Sequence, residues 1–202
     1  MKELTVAVIA GGKSTRFGSP KCQVMLSGKT LLDRAVELAY RIAPRVMVIS
    51  GEQPITIFPQ TPVYPDVFPG LGPLGGIYTA LLHTPTPYLA TLPCDAPLLN
   101  ERIFEYLSRY TETDRPIVAV SHKGMEPLVA LWPKSALPTI RRFLDARQLS
   151  LRRPLQHLQA VEVYLPVEMP EYHPFLFHNI NTQEDLRTLL VYLERQKIHE
   201  EL

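Results

Sequence analysis

The sequence predicts a three-layer α/β/α sandwich on a mostly parallel sheet, and three observations carry that prediction. From Leu4 to Ser121, short β-branched runs alternate with stretches of helical period, the pattern of parallel α/β units. The first run, Leu4 to Ala10, is apolar on both alternating faces, as a strand covered by helices on both sides must be. The polar clusters follow the ends of such runs, where open parallel sheets bind their ligands.

Taken in order, that first strand opens into a loop reaching about Gly28. Thr30 then caps a helix with Asp33 three residues on, and Leu31, Leu32, Ala35, Leu38, Ala39 and Ile42 share its buried face. Pro44 ends the helix and Val46 to Ile49 forms the next strand. Gln53 to Gly72 reads as a proline- and glycine-rich loop holding an extended piece at Pro62 to Tyr64. A helix from Pro73 to His83 leads into strand Tyr88 to Leu92, which ends at Pro93-Cys94-Asp95. Asn100 caps a helix through Tyr110, Pro116 to Ser121 is a fourth strand, and Pro127 to Trp132 returns beside it as an antiparallel neighbour. Helices over Lys134 to Arg147 and Leu151 to Leu158 precede strand Val161 to Leu165. An extended piece, Phe177 to Asn181, then meets a last helix, Gln183 to Lys197, capped by Thr182 and Asp185. The order is Rossmann-like, with no internal repeat, and 202 residues suit a single domain spanning 1–202.

Composition narrows the function classes. With 46% hydrophobic and 20% charged residues and a net charge of +1, the chain reads as a globular protein without the basic field of a nucleic-acid or membrane-surface binder. No apolar run approaches the length of a membrane span and the first residues carry no signal-peptide pattern, so the expected location is the cytoplasm. Cys22 and Cys94 do not have zinc-site spacing and read as reduced thiols. The six histidines show no ligand spacing, and no nucleophile constellation stands out.

The loop after strand one, "VAVIAGGKSTRFGSPK", contains GKST yet is not a Walker A loop, because Ala7 stands where that pattern needs its first glycine. Nor does it match G-x-G-x-x-G, since Gly11 and Gly12 are adjacent and the next glycine is Gly18. Two glycines here allow backbone N–H groups to approach a phosphate or a base edge, while Arg16 and Lys21 supply positive charge nearby. Taken alone, these residues also fit a strand-to-helix turn with two surface cations. Asp95 lies where the third strand ends, stiffened by Pro93 and Pro97; a carboxylate there suits Mg²⁺ held against phosphates, or an Asx-turn before Asn100. Asp66 precedes Gly72, Gly75 and Gly76 at a helix start, where glycines bring helix and nucleotide together or simply reverse the chain. Asn181 closes the run before the last helix. Arg147, Arg152 and Arg153 make a basic patch open to an anionic second substrate, or a solvated helix face.

Five of these segments, in order, resemble the molybdenum cofactor guanylyltransferases, the MobA family of nucleotidyltransferases. "IAGGKSTRFGSPK" is similar to L-A-G-G-x-S-x-R-M-G-x-x-K, "PDVFPGLGPLGGIYTAL" to D-x-x-x-x-x-G-P-L-x-G-I, and "LPCDAPLL" to P-C-D-x-P-[FLY]. "EPLVALW" is similar to H-P-x-x-A-L and "NINTQEDL" to N-[IV]-N-T-P-E-[DE]-L. The resemblance implies Mg²⁺-dependent transfer of GMP from GTP to the terminal phosphate of molybdenum-loaded molybdopterin. It implies nucleotide contacts from Ile9, Ala10, Gly11, Gly12 and Asp66, phosphate contact from Lys21, and metal binding by Asp95. Arg16 and Asn181 match positions on the phosphate and metal side. Partners so implied are a molybdopterin-delivering protein and a recipient molybdoenzyme, with no nucleic acid and no membrane. CTP-using relatives read L-A-A-G where this chain has Ile9-Ala10-Gly11-Gly12. Phe17 replaces the usual methionine, Cys22 follows the lysine, Ile49-Ser50-Gly51 lacks the common asparagine, and "QLSLRRPL" lacks a glycine. The alternatives are a cytidylyl- or sugar-phosphate nucleotidyltransferase, or a non-catalytic nucleotide-binding or cofactor-delivery protein on the same fold.

Overall fold

The computed structural model describes residues 3–11, 21–51 and 61–200. In chain order these form β1 (Leu4–Ile9), a small hairpin of β2 (Met25–Leu26) and β3 (Lys29–Thr30), α1 (Leu31–Ile42), β4 (Arg45–Ile49), β5 (Val63–Tyr64), α2 (Gly72–His83), β6 (Tyr88–Pro93) and α3 (Glu101–Ser108). There follow β7 (Ile117–Ser121), β8 (Gly124–Pro133), α4 (Leu137–Asp145), α5 (Arg152–His157), β9 (Val161–Tyr164), α6 (Leu165–Glu168) and α7 (Gln183–Glu200). Among the described residues the main sheet orders as β5-β4-β1-β6-β8-β7-β9.

β1 pairs in parallel with β4 and β6, placing Ile9 beside Ile49 on one side and beside Pro93 on the other. β8 is antiparallel to both β6 and β7, so β7 runs the same way as β6. The carboxyl ends of β1, β4, β6 and β7 therefore lie along one rim. Side-chain alternation divides the core into two layers. Val6, Val8, Val48, Ala90 and Leu92 pack with α1 and α3, whereas Ala7, Ile9, Ile49, Leu89 and Trp132 pack with α2, α4 and α5. Each fully buried aliphatic side chain contributes about 1.5 to 3 kcal/mol relative to exposure.

Both predicted capping boxes form. Asp33 N–H donates to Thr30 Oγ1 (3.0 Å) while Thr30 N–H donates to Asp33 Oδ2 (3.3 Å). At α7, the N–H groups of Asn181 (2.9 Å) and Thr182 (2.8 Å) and the Thr182 hydroxyl (2.9 Å) all donate to Asp185 Oδ2. Partial burial pushes the Asp185 carboxyl up, but these bonds outweigh it and its pKa lies below the ordinary 3.8. Asp185→Ala is expected to remove about 1 to 2 kcal/mol at neutral pH, read from chemical denaturation. A carboxyl with a depressed folded pKa stabilises fully above its unfolded pKa and loses that contribution as pH falls through the folded value. The gap between variant and wild type should therefore close in acid; a gap that persists there would contradict the capping role.

The structure departs from the expected elements in several places, among them Leu165, which starts α6 where a strand end is expected. The loop before α1 contains the β2–β3 hairpin, because Ser27 (φ 49°) and Gly28 (φ 80°) adopt the left-handed pair that a two-residue hairpin turn requires. β8 inserts between β6 and β7 instead of lying only beside β7, and a bulge between Val118 and Val120 accommodates the change of register. α3 stops at Ser108, whose hydroxyl donates to Phe104 O (2.6 Å), two residues short of Tyr110. The piece expected to be extended from Phe177 begins as a 3-10 turn over Pro174–Phe177, since Pro174 presets a turn φ and buries Leu176 and Phe177 behind it.

Candidate active site

Two groups of predicted site residues form on the rim. In the first, Ala10 N–H donates to Ile49 O (2.9 Å), which continues the β1–β4 ladder past Ile9. Gly11 then passes so close to Gly51 that a Cβ would lie 3.1 Å from Gly51 Cα and 3.2 Å from its nitrogen. Both contacts are backbone, so only glycine fits without displacing a strand end. Asp66 N–H donates to Gly51 O (3.1 Å), tying the loop after β5 to the same corner. α2 starts beside it, and a Cβ on Gly76 would meet Ile9 Cγ2 at 3.4 Å and Asp66 Oδ1 at 3.6 Å. Ile9, Ala10, Gly11 and Asp66 thus meet at one corner with the N-terminal part of α2. Pro73 in the first turn suits a position whose N–H has no intrahelical acceptor.

The second group lies one strand over. Lys21, in a turn over Lys21–Gln23, places Nζ 3.4 Å from Asp95 Oδ2 and donates from it to Asn181 Oδ1. The three residues come from the first loop, the end of β6 and the lead-in to α7. Ile180 N–H donates to Asp95 O (2.8 Å), and Asp185 holds the Asn181 N–H, so the main-chain segments carrying the two oxygens are tied down. The Lys21 and Asp95 side chains are 27% and 21% exposed, enough water-shielding to strengthen their interaction while leaving the group reachable from the rim. Burial pushes the Asp95 carboxyl up from its ordinary value, and the Lys21 ammonium pulls it back part of the way.

Gly12 and Arg16 lie outside the described residues. Cys22 and Cys94, which flank Lys21 and Asp95, are buried free thiols, and burial pushes both pKa values up, so they stay protonated. Arg147, Arg152 and Arg153 are exposed, and Arg147 takes φ 56° where α4 ends. Two features were not foreseen. Ser121 donates to Glu126 Oε1 (2.7 Å) across the β7–β8 turn on the same rim. Ser50, in the place of the common asparagine, is buried beside Gly51. No cluster of three or more His, Cys, Asp or Glu side chains suited to a metal occurs among the described residues. A hard divalent cation does not need one: a carboxylate and a carboxamide oxygen, completed by water and phosphate, form an ordinary magnesium donor set.

The glycine corner at the end of β1 and the Asp95–Asn181 oxygens share the carboxyl rim where α/β sheets bind their ligands, an arrangement suited to a nucleotidyltransferase. Comparison with known proteins gives the family. The MobA-like NTP transferase domain matches residues 6–162, and the chain belongs to that family. A Carboxydothermus hydrogenoformans protein named "Probable molybdenum cofactor guanylyltransferase" is 33% identical over 94% of this chain and 96% of its own. The molybdenum cofactor guanylyltransferase of Rhizobium meliloti is 32% identical, over 93% of this chain and 92% of its own. The crystal structure of molybdopterin-guanine dinucleotide biosynthesis protein A from Archaeoglobus fulgidus shares the fold with a TM-score of 0.79 at 23% identity, over 95% of this chain and 99% of that one.

Proposed function

We propose that this protein is a molybdenum cofactor guanylyltransferase, moving GMP from GTP to the terminal phosphate of molybdenum-loaded molybdopterin and releasing pyrophosphate. The observation that carries the reading is the convergence of Lys21, Asp95 and Asn181, from three distant segments, one strand from the Ile9–Gly11 corner. Both substrates are anions and must be held together. Backbone groups of Ile9, Ala10 and Gly11 read the guanine edge, and Gly12 is a further nucleotide contact. Asp66 assists from the far wall. Lys21 contacts the phosphates, and Arg16 offsets charge on the leaving pyrophosphate.

The donor set fits magnesium: Asp95 and Asn181 present oxygens to a common point that an ammonium already contacts. Bound there, Mg²⁺ supplies charge neutralisation between the two phosphates. An oxygen of the molybdopterin phosphate attacks the α-phosphorus, and the bond to the bridging oxygen of pyrophosphate breaks. No side chain needs to take a proton, because a phosphate monoester is largely dianionic at neutral pH. The chain's contribution is positioning and preorganised charge. The setting is cytoplasmic. Substrate arrives from a molybdopterin-delivering protein and product leaves to a molybdoenzyme.

The test is the thermal stability of the protein with GTP, CTP, ATP or UTP, each with and without Mg²⁺. The expected result is a Mg²⁺-dependent rise with GTP alone, of a size set by ligand concentration over Kd. A CTP-selective rise would move the protein to the cytidylyl branch. GTP binding without pyrophosphate release would make it a non-catalytic binder.

A further inference from the structure

We infer that Lys21 is a place-holder for the divalent cation: its ammonium sits between Asp95 and Asn181 until nucleotide phosphate draws it away and the metal takes the seat. The inference rests on the reading of Asp95 and Asn181 as metal ligands. Its basis is geometric. Nζ reaches both Asp95 Oδ2 (3.4 Å) and Asn181 Oδ1, the same two oxygens a hard cation would use. The Ile180–Asp95 backbone bond and the Asp185 cap hold the main-chain segments that carry both oxygens. An ammonium and a divalent ion at contact distance from one carboxylate repel strongly in a partly water-shielded site, so the two exclude each other. Lysine carries its charge on a flexible four-carbon stem, which allows the same group to satisfy the oxygens first and phosphate later. The consequence is order: metal enters with or after the nucleotide, and the oxygen pair is kept charged-balanced before it arrives.

The test uses the full chain and Mn²⁺ alone, its free fraction read by electron paramagnetic resonance without any nucleotide. Wild type is compared with Lys21→Met, Lys21→Gln and Lys21→Arg, at about 0.1 M and about 0.5 M salt. The neutral variants should each bind Mn²⁺ at least about tenfold more tightly than wild type at both salt levels, as removal of a contact charge requires. Lys21→Arg, which keeps the charge, should stay within about threefold of wild type. Adding Asp95→Ala to Lys21→Met should abolish the gain. Neutral variants that bind like wild type overturn the inference. So does a gain that vanishes at high salt, the mark of a screened general field, or one that survives Asp95→Ala, the mark of an ion seated elsewhere. Because no nucleotide is present, this comparison judges Lys21 separately from the guanylyltransferase reading, which falls if GTP leaves wild-type thermal stability unchanged.

Discussion

Asp95→Ala is expected to reduce pyrophosphate release by about a hundred- to a thousandfold, if it matches the removal of other preorganised charge-stabilising groups. The fold should survive. Asp95 is tied to the C-terminal segment through its carbonyl, which accepts from Ile180 N–H, and an alanine keeps that carbonyl. Burial also raises the carboxyl's folded pKa above 3.8. A group shifted that way contributes stability fully below its unfolded pKa and loses it as pH rises through the folded value. At neutral pH the ionised side chain is therefore a cost the wild type carries, and the variant should unfold no earlier than wild type. Turnover at the wild-type rate in a correctly folded Asp95→Ala protein would remove this residue from the chemistry. Loss of turnover accompanied by early unfolding would instead make it a structural residue.

Lys21→Ala should lower kcat/KM by about 2 to 4 kcal/mol of transition-state stabilisation, roughly 30- to 900-fold. Its two roles predict opposite signs in two measurements. The variant should lose catalysis because no ammonium meets the phosphates, yet gain Mn²⁺ affinity because none competes for Asp95 and Asn181. A simple loss of site structure would lower both together. Unchanged kcat/KM would count against contact between Lys21 and the phosphates at any stage of turnover.

Much of the frame was legible because it depends on short-range physics. The alternating runs around Val6, Val48 and Leu92 mark strands buried on both faces, and both Thr-x-x-Asp caps are local hydrogen-bond patterns read directly from spacing. What escaped was decided by contacts between distant residues. The insertion of β8 between β6 and β7 depends on which sheet edge remains open after β6 has paired with β1, and no periodicity within Gly124–Pro133 encodes that. The turn at Pro174–Phe177 takes in the first residue of the expected extended run because Pro174 presets a turn and Leu176 and Phe177 bury behind it.

For the site, the sequence by itself determined the chemical kinds and their places: glycines after the first strand, a carboxylate after the third, an asparagine before the last helix. Those are consequences of where strands end, since a parallel sheet exposes its carboxyl ends together. Only the tertiary structure decided that Lys21, Asp95 and Asn181 meet, and that Lys21 turns toward the two oxygens. That choice belongs to the fold because a half-shielded ammonium takes the nearest fixed oxygens. Their positions were set by the Ile180–Asp95 bond, which joins segments far apart in the chain.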